Sequence, residues 1–210
     1  LNKLYIRFSY PFLLPILTTT ILIVCILSAF NISYDTYMIG GDWINQLLGP
    51  AVVALAFPLY KQWRMLKDHI FVILGGVFLG VLAGMVSGLL FSKLAGIAEE
   101  TAVSILPKSL TTPVAVQISE ELGGVPALTA IFVMIAGLTG AILGPLILNL
   151  FHITNPVSKG IALGSASHAI GTSKAFEFGE LTFSMSSISM TLSAVFGSIL
   201  GPIIMNLFIN

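Results

Sequence analysis

Two short polar segments carry most of the side chains that could do chemistry in an otherwise apolar sequence. One holds Lys108, Thr111 and Thr112 between Pro107 and Pro113; the other, residues 160–180, reads GIALGSASHAIGTSKAFEFGE and holds Ser167, His168, Thr172 and Lys174. Hydroxyls, ammonium groups and a protonated imidazole are hydrogen-bond donors, and a few donors at fixed places are what binding a small organic anion requires. Free amides at the starts of half-helices would add to them. His168 also offers a proton-coupling step near neutral pH. It stands four residues before Thr172, so the two share a face wherever the chain between them is helical. We therefore expect His168 to contact substrate or couple it to a proton. The plainer alternatives are lysines extended toward lipid headgroups, threonines bonded back to their own helix, and a 160–180 segment that is only a solvated loop.

Catalysis finds little support. Ser167 and His168 are adjacent, and neighbours at i and i+1 do not face each other if the segment is helical, so without a special turn they form no nucleophile and base pair. The GSASH stretch also lacks the second glycine of a GxSxG elbow. His69, His152 and His168 are scattered, without HExxH or a cysteine cluster, so neither a metal nor another cofactor is expected. The lone cysteine, Cys25, lies in an apolar run and is expected to be a small packed hydrophobe without a disulfide.

The elements that must position these groups belong in a membrane. The chain has 210 residues, 56% of them hydrophobic and only 9% charged, with a mean hydropathy of +1.01; a soluble surface needs far more charge. Nine basic and nine acidic residues cancel, leaving no basic field for nucleic acid. Residues 11–30 are uncharged and long enough to span a bilayer, with no clear cleavage site after them, so they are expected to stay in the membrane. Residues 43–60 form a shorter stretch with Pro50 and Pro58, which predicts a kink or partial unwinding. Residues 70–92 are uncharged and place Gly76, Gly80, Gly84 and Gly88 on nearly one face, a stripe that permits close helix packing within the chain or with another copy. Lys3, Arg7, Lys61, Arg64 and Lys67 favour the cytoplasmic side, which puts the 31–42 loop outside, with Tyr34, Tyr37 and Trp43 in an interfacial belt.

An internal repeat organises the second half. Residues 109–120, SLTTPVAVQISE, resemble residues 167–177, SHAIGTSKAFE, and GAILGPLILNLF from Gly140 matches GSILGPIIMNLF from Gly197. Residues 101–151 are repeat A and 160–210 repeat B, behind amino-terminal helices, 1–92, that serve as scaffold and dimerisation surface. All of 1–210 forms one transmembrane domain. If both broken segments cross the membrane, the repeats run parallel; if each enters and turns back, they are inverted. We expect inversion, with Lys159 inside and the two tips meeting near the midplane, as in transporters built on paired interruptions. The fold expected is an all-α polytopic membrane protein of about five to seven transmembrane helices, including discontinuous or re-entrant segments.

The motifs SYDTY, GPAVVALAFPLYKQ, ILPKSLTTPVAV, ELGG and GSASHAIGTSKAFEFGE, in that order over nearly the whole chain, resemble the LrgB/CidB family of membrane proteins. The resemblance implies a multi-pass protein of the bacterial cytoplasmic (inner) membrane. Members are described as antiholin-like or holin-like modulators of murein hydrolases and autolysis, acting with a small LrgA/CidA-type membrane partner. Others move small carboxylates such as pyruvate, and a plant plastid relative exchanges glycolate for glycerate. The positions matching the family's polar core are Lys108, Ser109, Thr111, Thr112 and Pro113, and then Ser165, Ser167, His168, Gly171, Thr172 and Lys174. The family usually has a further helix ahead of the stretch matching PFLLPIL, and asparagine where Leu14 stands. Paired broken elements favour a transporter of small monocarboxylates (pyruvate, glycolate or lactate), with His168 as the group for proton linkage, over a holin-like regulator; a homodimer is expected from the glycine stripe.

Overall fold

The computed structural model describes residues 15–209, which form eleven α-helices and no strand. Expectations that rest on Lys3, Arg7, Leu14 and the start of the 11–30 span lie outside the described residues. The chain divides into two compact units, one ending at Ala51 and the other beginning at Val52.

The first unit holds α1 (Pro15–Ala29), α2 (Tyr34–Asn45) and the start of α3 (Leu48–Ala54). Ile21, Leu22, Val24 and Ile26 of α1 are exposed, an arrangement suited to lipid rather than water. Cys25 is exposed as well, which corrects the expectation that it packs inside. Helix α2 starts where Ser33 Oγ accepts the Thr36 amide at 3.2 Å, a side-chain cap for one of the unpaired amides of the first turn. Tyr34, Tyr37 and Trp43 all stand exposed on α2, as interfacial aromatic side chains do.

In the second unit the expected kink in 43–60 is a full break: α3 ends at Ala54 and α4 (Ala56–Lys61) begins beyond Leu55. Pro58 then falls in the first turn of α4, where a missing N–H removes no intrahelical bond. Short α5 (Trp63–Asp68) leads to α6 (Ile70–Leu94). With α9 (Pro126–Leu150) and α11 (Glu180–Ile209), α6 is long and apolar enough to cross a membrane. Its residues Ile73, Val77, Val81, Met85 and Leu89 are buried at fourfold spacing, which makes a single ridge along the helix. The glycine stripe lies beside that ridge. Although the sequence groups α6 with an amino-terminal scaffold, it packs with both repeats.

Each repeat begins with a helical hairpin. In hairpin A, α7 (Glu99–Ile105) ends where Pro107 cannot donate to its ladder, the chain reverses through 106–111, and α8 (Thr112–Glu121) returns with Pro113 in its first turn. The return is fixed by the Val125 amide, which donates to Ser104 Oγ at 2.8 Å. In hairpin B, α10 (Pro156–Ala175) is broken at Ser167 (φ −132°, ψ 15°) and His168 (φ 41°, ψ −134°). Beyond the break Gly171 lies against the Leu163 carbonyl of the incoming arm, and Lys159 Nζ sits 5.1 Å from the Phe178 ring centre. The chain is thus back at the level where it went in, before α11 starts. Both broken segments turn back rather than cross.

The glycine contacts give the direction of each hairpin. Gly76 and Gly80 touch Ile161 and Ser165 in turn, so the incoming arm of hairpin B runs parallel to α6; Gly84 and Gly88 touch Ser109 and Ile105, so that of hairpin A runs antiparallel. The hairpins come from opposite ends of α6 and stop at adjacent turns, which are about 6 Å apart and flank its midpoint. This is an inverted repeat with tips at mid-height. Charge sorts accordingly. Lys61, Arg64, Lys67, Lys159 and Lys174 outnumber Asp68, Glu177 and Glu180 at the end where α6 begins, whereas Glu99, Glu100, Glu120 and Glu121 outnumber Lys93 around the mouth of hairpin A at the other.

Candidate functional site

The glycine stripe of α6 is a seat for the hairpins within one chain. A methyl group at Gly80 would lie 2.9 Å from Ser165 Oγ, and at Gly84 3.1 Å from Ser109 Oγ. At Gly88 it would lie 3.1 Å from Lys108 Nζ. The dimer expected from the stripe therefore has no free glycine face behind it at these positions. Because the glycines are absent side chains, Lys108 can lay its ammonium along α6 and donate to the Gly84 carbonyl at 2.6 Å. Among the described residues no carboxylate pairs with it; the one ion pair there joins Lys174 to Glu177 at 2.6 Å.

The tip of hairpin B is held on α9. Ser167 lies against Gly140, and the imidazole of His168 covers Gly137, where a methyl carbon would stand 2.6 Å from Cε1. Nε2–H of His168 donates to the Val133 carbonyl at 2.9 Å, which leaves Nδ1 as the nitrogen available to accept a proton or a ligand donor. Ser165, Ser167, His168 and Thr172 are all buried. Ser165 donates to the Ile161 carbonyl at 2.7 Å, the plainer role foreseen for these hydroxyls.

Seating is crossed between the repeats. Gly140 of repeat A receives Ser167 of repeat B, and Gly197 of repeat B receives Leu110 of repeat A. Positions 140 and 197 are equivalent (197 − 140 = 57), and the same offset relates Thr129 to Ser186 (186 − 129 = 57). Those two residues also do the same work. Thr129 bonds Ser119 at 2.6 Å and Ser186 bonds Thr172 at 2.9 Å, so each long helix ties down the returning arm of its own hairpin through a hydroxyl pair.

The structure thus brings Lys108, Ser109, Ser165, Ser167 and His168 to mid-height. Thr111 is the buried, extended residue just ahead of α8; Thr112, the first residue of the helix, is exposed, and Pro113 sits in the first turn. Gly171 serves the close approach of the two arms. Thr172 sits one turn back from the tip. Lys174 does not join the group: with Glu177 it lies at the mouth of hairpin B. What the motifs missed are the Val133 carbonyl, the Ser119–Thr129 pair and the crossed seats; the 57-residue offset relates Gly140 to Gly197 and Thr129 to Ser186 but not what each of them touches. A cavity of about 230 Å³ opens between the end of α6 and the start of α7, lined by Leu89, Lys93, Glu99 and Ala102 among others; Leu89 follows the Gly88 seat of Lys108. Among the described residues no three His, Cys, Asp or Glu side chains gather as a metal site would need.

Comparison with known proteins shows the family of the chain. The family model described as the LrgB-like family matches residues 1–207. A Bacillus subtilis (strain 168) relative described as the uncharacterized protein YxaC is 62% identical over 98% of this chain and 90% of its own length. The holin-like protein CidB of Staphylococcus aureus (strain Mu50) is 39% identical over 99% of this chain and 90% of its own. That of Staphylococcus epidermidis (strain ATCC 12228) is 37% identical with the same coverage. No solved structure matches. With the family model running through both hairpins and both long helices of the repeat, the chain belongs to the LrgB-like family of membrane proteins.

Proposed function

We propose that the chain is a carrier of small organic anions, monocarboxylates of the size of pyruvate, glycolate or lactate, with its site at the meeting point of the two hairpin tips. The observation that carries this reading is Lys108: an ammonium at mid-height of the bundle, donating to a helix carbonyl and matched by no carboxylate. A charge placed there is costly, and its natural complement is an anion that comes and goes. Serine hydroxyls and the amides at the start of α8 supply neutral donors around it. His168, with Nδ1 free, is the group that would couple a proton to transport. Opposed hairpins on one inverted repeat are the arrangement by which such a site can face either side in turn. The cavity beside Lys93 gives an approach from the acidic end. We assign no catalytic residue and no cofactor.

The names of the relatives favour a second reading, a holin-like or antiholin-like modulator of autolysis that works with a small LrgA/CidA-type membrane partner. On either reading we place the protein in the bacterial cytoplasmic membrane with the lysine-rich end inside, as a homodimer joined through surfaces other than the glycine stripe. The deciding experiment is uptake of labelled pyruvate, glycolate and lactate into proteoliposomes holding the purified protein alone. Saturable uptake that Lys108→Met abolishes supports the carrier. Release of a large trapped dye, with no saturable uptake, supports the holin-like reading instead.

A further inference from the structure

The cavity of about 230 Å³ at the mouth of hairpin A has one basic wall. Leu89 and Lys93 of α6, Ile97, Glu99 and Ala102 on the way into hairpin A, and Phe208 of α11 enclose it. Apart from Lys93 and Glu99, those side chains are apolar. Among the described residues the Lys93 ammonium makes one bond, to the Phe208 carbonyl at 3.4 Å, which is long for an N–H···O bond. Glu99 lines the same cavity without forming an ion pair with it. An ammonium has three donors, so Lys93 keeps two to offer the cavity.

Contacts along α6 relate this cavity to the tip. Gly84 touches Ser109 and Gly88 touches Ile105, so hairpin A follows α6 rung by rung. The cavity is the next rung outward, with Leu89 on one helix and Ala102, a turn before Ile105, on the other. A methyl group at Gly88 would lie 3.1 Å from Lys108 Nζ and 3.2 Å from Ile105 Cγ2. Because Leu89 is the neighbour of Gly88, the floor of the cavity lies within about one helical turn of the level of the Lys108 ammonium. Ile105 comes between Ala102 of the cavity and Lys108 of the tip.

Charge gives Lys93 a task. Glu99, Glu100, Glu120 and Glu121 outnumber it at this end, and a field of that sign holds anions off. An anion entering here needs a local cation, and Lys93 is the one the cavity offers. We propose that the cavity is a first binding site for small carboxylates, in which Lys93 holds the anion one rung short of Lys108. This deepens the carrier reading and rests on it. Glu99 weakens the site, so that the acid passes on instead of staying. A purely structural Lys93 would cap the end of α11 or reach for lipid headgroups.

The first test needs no transport. In the full-length wild type in detergent, lactate should slow acetylation of Lys93 by acetic anhydride, followed by mass spectrometry, whereas lactamide, its uncharged analogue, at matched ionic strength should not. Equal rates with both would overturn the site. The second test is lactate uptake into proteoliposomes with the mouth of hairpin A facing out. Lys93→Met should raise KM about two- to fivefold, the size of one exposed ion pair, and leave the maximal rate unchanged; Lys93→Arg should stay near wild type, and Glu99→Gln should lower KM about twofold. In about 1 M salt, where charges are screened beyond about 3 Å, the difference between Lys93→Met and wild type should shrink. A KM that Lys93→Met does not move, or that Lys93→Arg does not restore, would overturn the role of Lys93 and leave Lys108 and the carrier in place. Protection of Lys93 by lactate without uptake by the wild type would remove the carrier reading and, with it, the passage to Lys108.

Discussion

The two hairpin tips solve one problem in opposite ways. Hairpin A turns with prolines: Pro107 ends its incoming arm, Pro113 starts its returning one, and no residue from 99 to 121 has a positive φ. Hairpin B turns without a proline at its tip, by forcing His168 to φ 41° and ψ −134°. Asn31 and His152 also have positive φ, but His168 combines it with a ψ outside the left-handed helical well, where glycine alone is at ease. Hairpin A spends no strain and holds a cation. Hairpin B stores strain of about 1 to 3 kcal/mol and spends it on presenting an imidazole. The difference is one of backbone: hairpin A turns on prolines in relaxed conformations, and hairpin B turns on a histidine in a conformation that suits glycine.

The largest way to break this comparison is at the seats. Gly140→Leu would drive a side chain into Ser167 and should cost about 3 kcal/mol or more, seen as loss of monodisperse protein in detergent. Gly75→Leu, where nothing lies within 4 Å, should stay within about 0.5 kcal/mol of wild type. Similar behaviour of the two would mean that the crossed seats do not hold the bundle together.

Next is the cation of hairpin A. Lys108→Met fills the same groove without a charge, so it should raise thermal stability by about 1 kcal/mol or more while lowering carboxylate uptake at least about 100-fold, a loss of roughly 3 kcal/mol. Uptake that survives would leave Lys108 as packing and take the carrier's main support with it.

Smaller effects sharpen the contrast between the tips. His168→Gly should relieve strain of about 1 to 3 kcal/mol and lose one hydrogen bond of about 1 kcal/mol, so that stability holds or rises; Thr111→Gly in hairpin A, with nothing to relieve, should lose about 1 kcal/mol. A clear loss at both sites would show that His168 is not strained. His168→Gln removes the titrating nitrogen, and uptake measured between about pH 5.5 and 8 should lose its pH dependence. Smallest are the hydroxyl ties. Ser119→Ala and Ser186→Ala should each cost about 0.5 to 1.5 kcal/mol, and equal shifts in melting temperature would confirm that the two repeats are tied alike.

Much of this was written in residue order. The Gly-Pro echo of 140–151 in 197–208 exposes the repeat, and glycines at 76, 80, 84 and 88 mark a close-packing face on α6. Spacing could not say what would fill that face. Its occupants, Ile161, Ser165, Ser109 and Lys108, come from segments whose path depends on a reversal, and a reversal at Ser167 and His168 leaves no glycine or proline in the sequence as a sign. Lys174 looked like a ligand because it is a cation matching the family's polar core, but on the returning arm it ends at the opening, paired with Glu177. Ser186 was hidden by abundance, since α11 is rich in buried hydroxyls and only the bond to Thr172 sets it apart.

Crossed seating also sets a timetable for biogenesis. Leu110 leaves the ribosome about ninety residues ahead of Gly197, roughly 5 to 17 s at ordinary elongation rates. Throughout that interval hairpin A has the α6 half of its cradle but not the α11 half, and Lys108 must wait in or beside the insertion machinery. Hairpin B waits far less, because α6 and α9 are both complete before its tip is made and Ser186 of α11 follows Thr172 by only 14 residues (186 − 172). A helix made long after hairpin A is therefore the one that locks that hairpin in place, and a nascent chain cut short within α11 would expose an unanchored lysine hairpin to the quality-control proteases of the membrane.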